Sequence, residues 1–62
     1  MDITMEIKYN GTGVRITERG NRCFYSLSGK PIKELIKVIQ YLEQVRAPMA
    51  TASKLVISEM LK

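Results

Sequence analysis

Two dipeptides, Asn10-Gly11 and Gly20-Asn21, stand ten positions apart, each between runs in which apolar and polar residues alternate. Asn-Gly is the strongest short hairpin signal, because both central residues of a type I′ turn need positive φ. A turn there sets Tyr9 opposite Thr12, Ile7 opposite Val14 and Met5 opposite Ile16, while Glu6 meets Arg15 and Thr4 meets Thr17 on the other face. Apolar residues meet apolar ones and an acid meets a base, so the register is self-consistent; a one-residue slip would send each side chain to the wrong face. A two-residue turn at Gly20-Asn21 places Arg19 opposite Arg22, Thr17 opposite Phe24, Ile16 opposite Tyr25 and Val14 opposite Leu27. The two turns then share one core face: Ile3, Met5, Ile7, Val14, Ile16, Cys23, Tyr25 and Leu27. The competing arrangement is a three-residue loop, Arg19-Gly20-Asn21, which pairs Ile16 with Phe24 and turns Phe24 inward.

Beyond Leu27 the pattern changes. Ser28-Gly29-Lys30-Pro31 breaks the alternation and suits a helix entry with proline in the first turn. From Ile32 to Arg46 the apolar period is 3.6. Ile32, Leu35, Ile36, Val38, Ile39, Leu42 and Val45 cover more than half the helical wheel, an arc wide enough to touch two neighbours. One is the sheet and the other is the segment after Pro48, which ends this helix. Met49 to Lys62 reads as a second helix with Val56, Ile57, Met60 and Leu61 on one side, a short strand around Leu55 to Ile57 being the rival. Leu55 falls on the polar side of that wheel, as an exposed residue or a dimer contact. The expected architecture is α+β: a three-stranded antiparallel β-meander followed by two helices (βββαα), with the helices packed on one face of the sheet. Its strands span about residues 3–9, 13–19 and 22–28, and its helices about 31–46 and 49–61.

The 62 residues make one small domain, near the size at which a single core only marginally outweighs chain entropy. With 45% hydrophobic and 26% charged residues the chain has a globular composition, not a disordered one. The longest aliphatic run, Leu55-Val56-Ile57, is too short to span a bilayer, and Met1-Asp2 opens without a basic, then apolar leader. A single cysteine makes no internal disulfide. No membrane partner and a cytoplasmic location are the expectation.

Catalytic and metal chemistry lacks its usual residues. There is no histidine, and one cysteine without histidine builds no structural zinc site. Cys23 alternates onto the core face, where a thiol behaves as a small hydrophobe. The six acids are scattered, without the spacing of a catalytic pair. Gly11-Thr12-Gly13 has strands on both sides, whereas a phosphate-binding glycine loop needs a strand before it and a helix after it. No enzyme activity and no cofactor are expected.

What remains is the solvent side of the meander: Glu6, Lys8, Arg15, Thr17, Arg19, Arg22, Phe24 and Ser26, four bases against one acid. An exposed phenylalanine among arginines suits single-stranded nucleic acid, the guanidinium groups neutralising phosphates and the ring stacking on a base. Lys30, Lys33 and Lys37 extend the basic field around the start of the first helix. The expected function is a small binding protein, an accessory or regulatory factor that holds nucleic acid on this face. The alternative is a protein-binding regulator or inhibitor of phage or mobile-element type that occludes an acidic partner surface, with homodimerisation open to it. The stretch Arg19 to Tyr25, "RGNRCFY", resembles the third-strand motif of RNA-recognition domains in its arginine-glycine start and its aromatics. It departs from that motif at Asn21 and Arg22, and the strand order differs. The three-strand-then-helix order is similar to that of small DNA-binding domains of recombinases, by topology alone. No family follows from either.

Overall fold

Asn10 (φ 50°) and Gly11 (φ 80°) both adopt left-handed backbone, as a type I′ turn requires, and Gly20 (φ 65°) opens the second turn. In the computed structural model, which describes residues 1–62, these turns join β1 (Ile3–Tyr9), β2 (Thr12–Arg19) and β3 (Arg22–Gly29). The strands form one antiparallel sheet in the order β1-β2-β3. Its register is the one the turns imply, from Tyr9↔Thr12 to Thr4↔Thr17 in the first pair and from Arg19↔Arg22 to Val14↔Leu27 in the second. Phe24 stands opposite Thr17, so the three-residue loop is excluded.

The far end of β3 is tied to the first turn. The Lys30 N–H donates to the Gly11 carbonyl at 2.8 Å, and the Thr12 hydroxyl donates to the Lys30 carbonyl at 2.7 Å. Gly29 (φ 75°) makes this closure possible, since the Gly11 carbonyl oxygen occupies the space a Cβ would need. Pro31 and Ile32 then carry the chain from the sheet to the helical layer. Proline therefore precedes the helix instead of lying in its first turn: Ile32 is the extended N-cap (φ −114°, ψ 127°), and α1 runs Lys33–Val45.

The end of α1 is set before Pro48. Arg46 takes the left-handed conformation (φ 54°, ψ 51°), its N–H donating to the Glu43 carbonyl, while the Ala47 N–H donates to the Leu42 carbonyl at 3.0 Å. This is a Schellman closure with arginine at the position glycine usually holds. Pro48 (φ −70°, ψ 160°) instead opens α2, Met49–Met60, which is helical throughout the segment with the rival strand reading.

Both helices lie on the Val14 and Ile16 side of the sheet. α1 contacts β3, α2 contacts β2 and β1, and the helices contact each other, so the wide apolar arc of α1 meets two neighbours. Nine side chains form the core: Val14, Ile16, Leu35, Ile39, Leu42, Ala47, Ala52, Val56 and Met60. Fully burying an aliphatic side chain such as Ile16 or Leu42 contributes roughly 1.5–3 kcal/mol. Two expectations need correction. The inward stripe of α2 is Ala52, Val56 and Met60, with Ile57 and Leu61 exposed; the small Ala52, not the larger Ile57, faces the packed side. Ile3, Met5 and Leu27 stand on the helical side of the sheet but remain exposed, because two short helices cover its centre and not its margins.

Candidate functional site

The other side of the sheet carries no helix. Alternation along each strand brings Asp2, Thr4, Glu6, Lys8, Arg15, Thr17, Arg19, Arg22, Phe24 and Ser26 to it. Of the residues singled out in the sequence, Lys8, Arg15, Thr17, Arg19, Arg22 and Phe24 come together here. Lys30 lies instead in the β3–α1 connection beside Gly11, and Lys33 and Lys37 lie on the exposed side of α1, in the opposite layer.

Cross-strand pairing engages two of the three arginines. Arg15 Nη2 donates to Glu6 Oε1 at 3.0 Å, with Lys8 Nζ 3.7 Å from Glu6 Oε2. The hydrogen bond and charge of Arg15, with Lys8 adding to them, hold the Glu6 carboxyl below its ordinary range. Arg19 grips Asp2 Oδ2 through Nε at 3.0 Å and Nη2 at 2.9 Å. Between these pairs the Thr4 and Thr17 hydroxyls meet at 3.3 Å. Asp2 is the site residue not picked out in the sequence. Extending the alternation of β1 back two positions from Thr4 reaches it, and it reduces the basic excess to four bases against two acids.

Arg22 has no carboxylate partner. Its guanidinium lies 5.5 Å from the Phe24 ring centroid, and that of Arg19 lies 5.7 Å away, both within cation–π range. Phe24 is 44% exposed, which leaves ring surface open beside the two cations. The β2–β3 ladder fixes the backbone that carries this cluster, beside the second turn.

The reverse side of the same strand differs in character. Burial pushes the Cys23 thiol up and the Glu18 charge adds to the effect, while the neighbouring Tyr25 side chain opposes it. Tyr25 is pushed up to about 12, chiefly by burial, with Cys23 and Glu43 contributing. Its hydroxyl is shielded from solvent and meets no oxygen or nitrogen partner; the Cys23 sulfur is its polar neighbour. No group of three or more metal-ligating side chains forms, and no helix is long and apolar enough to cross a membrane. Neither a family model, nor a curated protein, nor a solved structure matches the chain.

Proposed function

We propose that this protein is a small non-enzymatic factor that binds single-stranded nucleic acid on the open face of its sheet. The observation that carries the reading is Phe24, exposed and flanked by the guanidinium groups of Arg19 and Arg22. A base stacks on the ring, a contact worth about 1–3 kcal/mol per base in proteins of this kind. Arg22, free of a carboxylate, takes the adjoining phosphate, while Lys8 and the paired Arg15 and Arg19 continue the basic field along the strands. Arg15 and Arg19 contribute less than their number implies, because a phosphate must compete with Glu6 and Asp2 for them.

The test is fluorescence anisotropy with labelled single-stranded RNA, single-stranded DNA and duplex DNA, over roughly 50 to 200 mM salt. The expected result is saturable binding to a single strand with a steep negative salt slope. Arg22→Ala should flatten the slope by about one phosphate contact, and Phe24→Ser should weaken binding about tenfold or more. Phe24→Ser should shift folding stability by no more than about 1 kcal/mol, the range of a cross-strand surface pair. Absence of binding at the lowest salt would end the reading.

The exposed Leu55 and Ile57 of α2, with Leu61 just after it, favour a second reading, a regulator that occludes another protein. A partner gripped through such apolar anchors loses less affinity with salt than a polyanion does.

A further inference from the structure

Open edge strands present unpaired backbone groups, and proteins guard them with charge, proline or a bulge. Both β1 and β3 are edges. β1 and its approach carry Asp2, Glu6 and Lys8. β3 is charged only at its first residue, Arg22: Cys23 to Gly29 contains no charged residue and no proline, and the strand pairs with β2 without a bulge. Because the two-residue turn closes on the Arg19↔Arg22 pair, the alternation of an antiparallel ladder points the N–H and C=O groups of Cys23, Tyr25 and Leu27 away from β2. No turn, loop or cap hydrogen bond reaches them. Beside this edge lies a groove of about 290 Å³, lined by Cys23, Tyr25, Leu42 and Arg46 among others, and Leu27 remains 36% exposed along the strand.

We propose that two copies of the protein join through β3, antiparallel about a twofold axis at Tyr25, into one continuous six-stranded sheet. The strand is self-complementary in this register, as a twofold contact requires. Tyr25 meets Tyr25 of the second copy, Cys23 meets Leu27, Phe24 meets Ser26, and Arg22 meets Ser28, so no like charges are opposed. Leu27 of the second copy comes beside Cys23, at the mouth of the groove. Both helical layers fall on one side. On the other side the two Phe24 rings become diagonal neighbours, about 7–8 Å apart at the backbone and within reach of aromatic side chains. This dimer rests on the edge strand alone and holds whatever the polar face binds. Each copy carries a net charge of +4, so added salt screens the repulsion and strengthens the dimer, opposite to its effect on phosphate contacts.

Sedimentation equilibrium of the full chain, from micromolar to near-millimolar concentration, tests the association. The expected result is a monomer–dimer equilibrium that shifts toward dimer with salt. Leu27→Lys places a charge in the joint and should weaken the dimer about tenfold or more, its fold checked by circular dichroism. Leu27→Cys provides an independent check. Paired residues in an antiparallel ladder bring Cα atoms to about 5.5 Å or less, within the range a disulfide bridges. Mild oxidation should therefore give a covalent dimer whose mass-mapped bond joins position 23 to position 27. A wild-type monomer throughout the range, a dimer indifferent to Leu27→Lys, or a bond joining 23 to 23 would overturn the proposal.

Discussion

Tyr25 shows how a side chain can be placed by alternation and still hold a feature that alternation does not reveal. Its hydroxyl is the buried side-chain polar atom without a hydrogen-bond partner, and an uncompensated hydroxyl costs about 1–3 kcal/mol by mutational measures. Tyr25→Phe removes that penalty and nothing else of the packing, so the variant is expected to be as stable as the parent or more stable by about 1 kcal/mol in urea unfolding. A loss of that size would mean that the hydroxyl is satisfied. The same residue imposes a pH dependence. An unperturbed tyrosine titrates near 10, whereas Tyr25 in the folded chain is pushed up to about 12. Between these values the unfolded chain loses a proton that the folded chain keeps. The contribution to stability is whole below about pH 10 and is lost as the pH rises to about 12. Tyr25→Phe should flatten that part of the alkaline decline. The inward direction of Tyr25 was legible from period-two spacing; the isolation of its hydroxyl depends on where the end of α1 lands, which no local pattern encodes.

The strands and turns were legible almost residue for residue because each constraint was local and doubled: a turn fixes the register, and the facing side chains confirm it. The helices were legible in kind and less so at their ends. Pro31 and Pro48 read as the natural punctuation, yet after the Lys30–Gly11 closure Ile32 is still extended and α1 starts at Lys33, and the left-handed Arg46 ends it two residues before Pro48. An arginine in that conformation bears a steric cost that glycine does not, about 1 kcal/mol. Arg46→Gly should therefore raise stability by up to about 1 kcal/mol, measured as a higher urea midpoint with unchanged slope; a fall would show that the Arg46 side chain contributes more packing than its backbone costs. The stripe of α2 was misread for a different reason. Ile57 and Leu61 are more hydrophobic than Ala52, but closeness of approach between layers, a tertiary property, decides which of them is buried.

At the scale of the molecule, the core is a joint product of three parts. Val14 and Ile16 come from the sheet, Leu35, Ile39 and Leu42 from α1, and Ala52, Val56 and Met60 from α2, with Ala47 added by the connection between the helices. A chain of this size has little surplus stability. Ending the chain at Pro48 is expected to unfold the remainder, seen as loss of dispersed amide signals in NMR spectra; a folded fragment would show that α2 is an accessory to the core instead of a third of it. The composition already placed the chain near that limit, and the wide arc of α1 already called for a second helix beside it. The polar face was legible from the alternation of the strands, except for Asp2, which lies outside the run whose alternation announces β1; Lys30, Lys33 and Lys37, expected to extend its basic field, lie off it, in the β3–α1 connection and on α1.

On β2 the residues that hold the fold and those that face the bare surface occupy alternate positions: Val14 and Ile16 on one parity, Arg15, Thr17 and Arg19 on the other. Inheritance can therefore act on the two sets separately. Descendants of this chain are free to exchange the outward letters while the inward letters, and with them the shape, pass on unchanged.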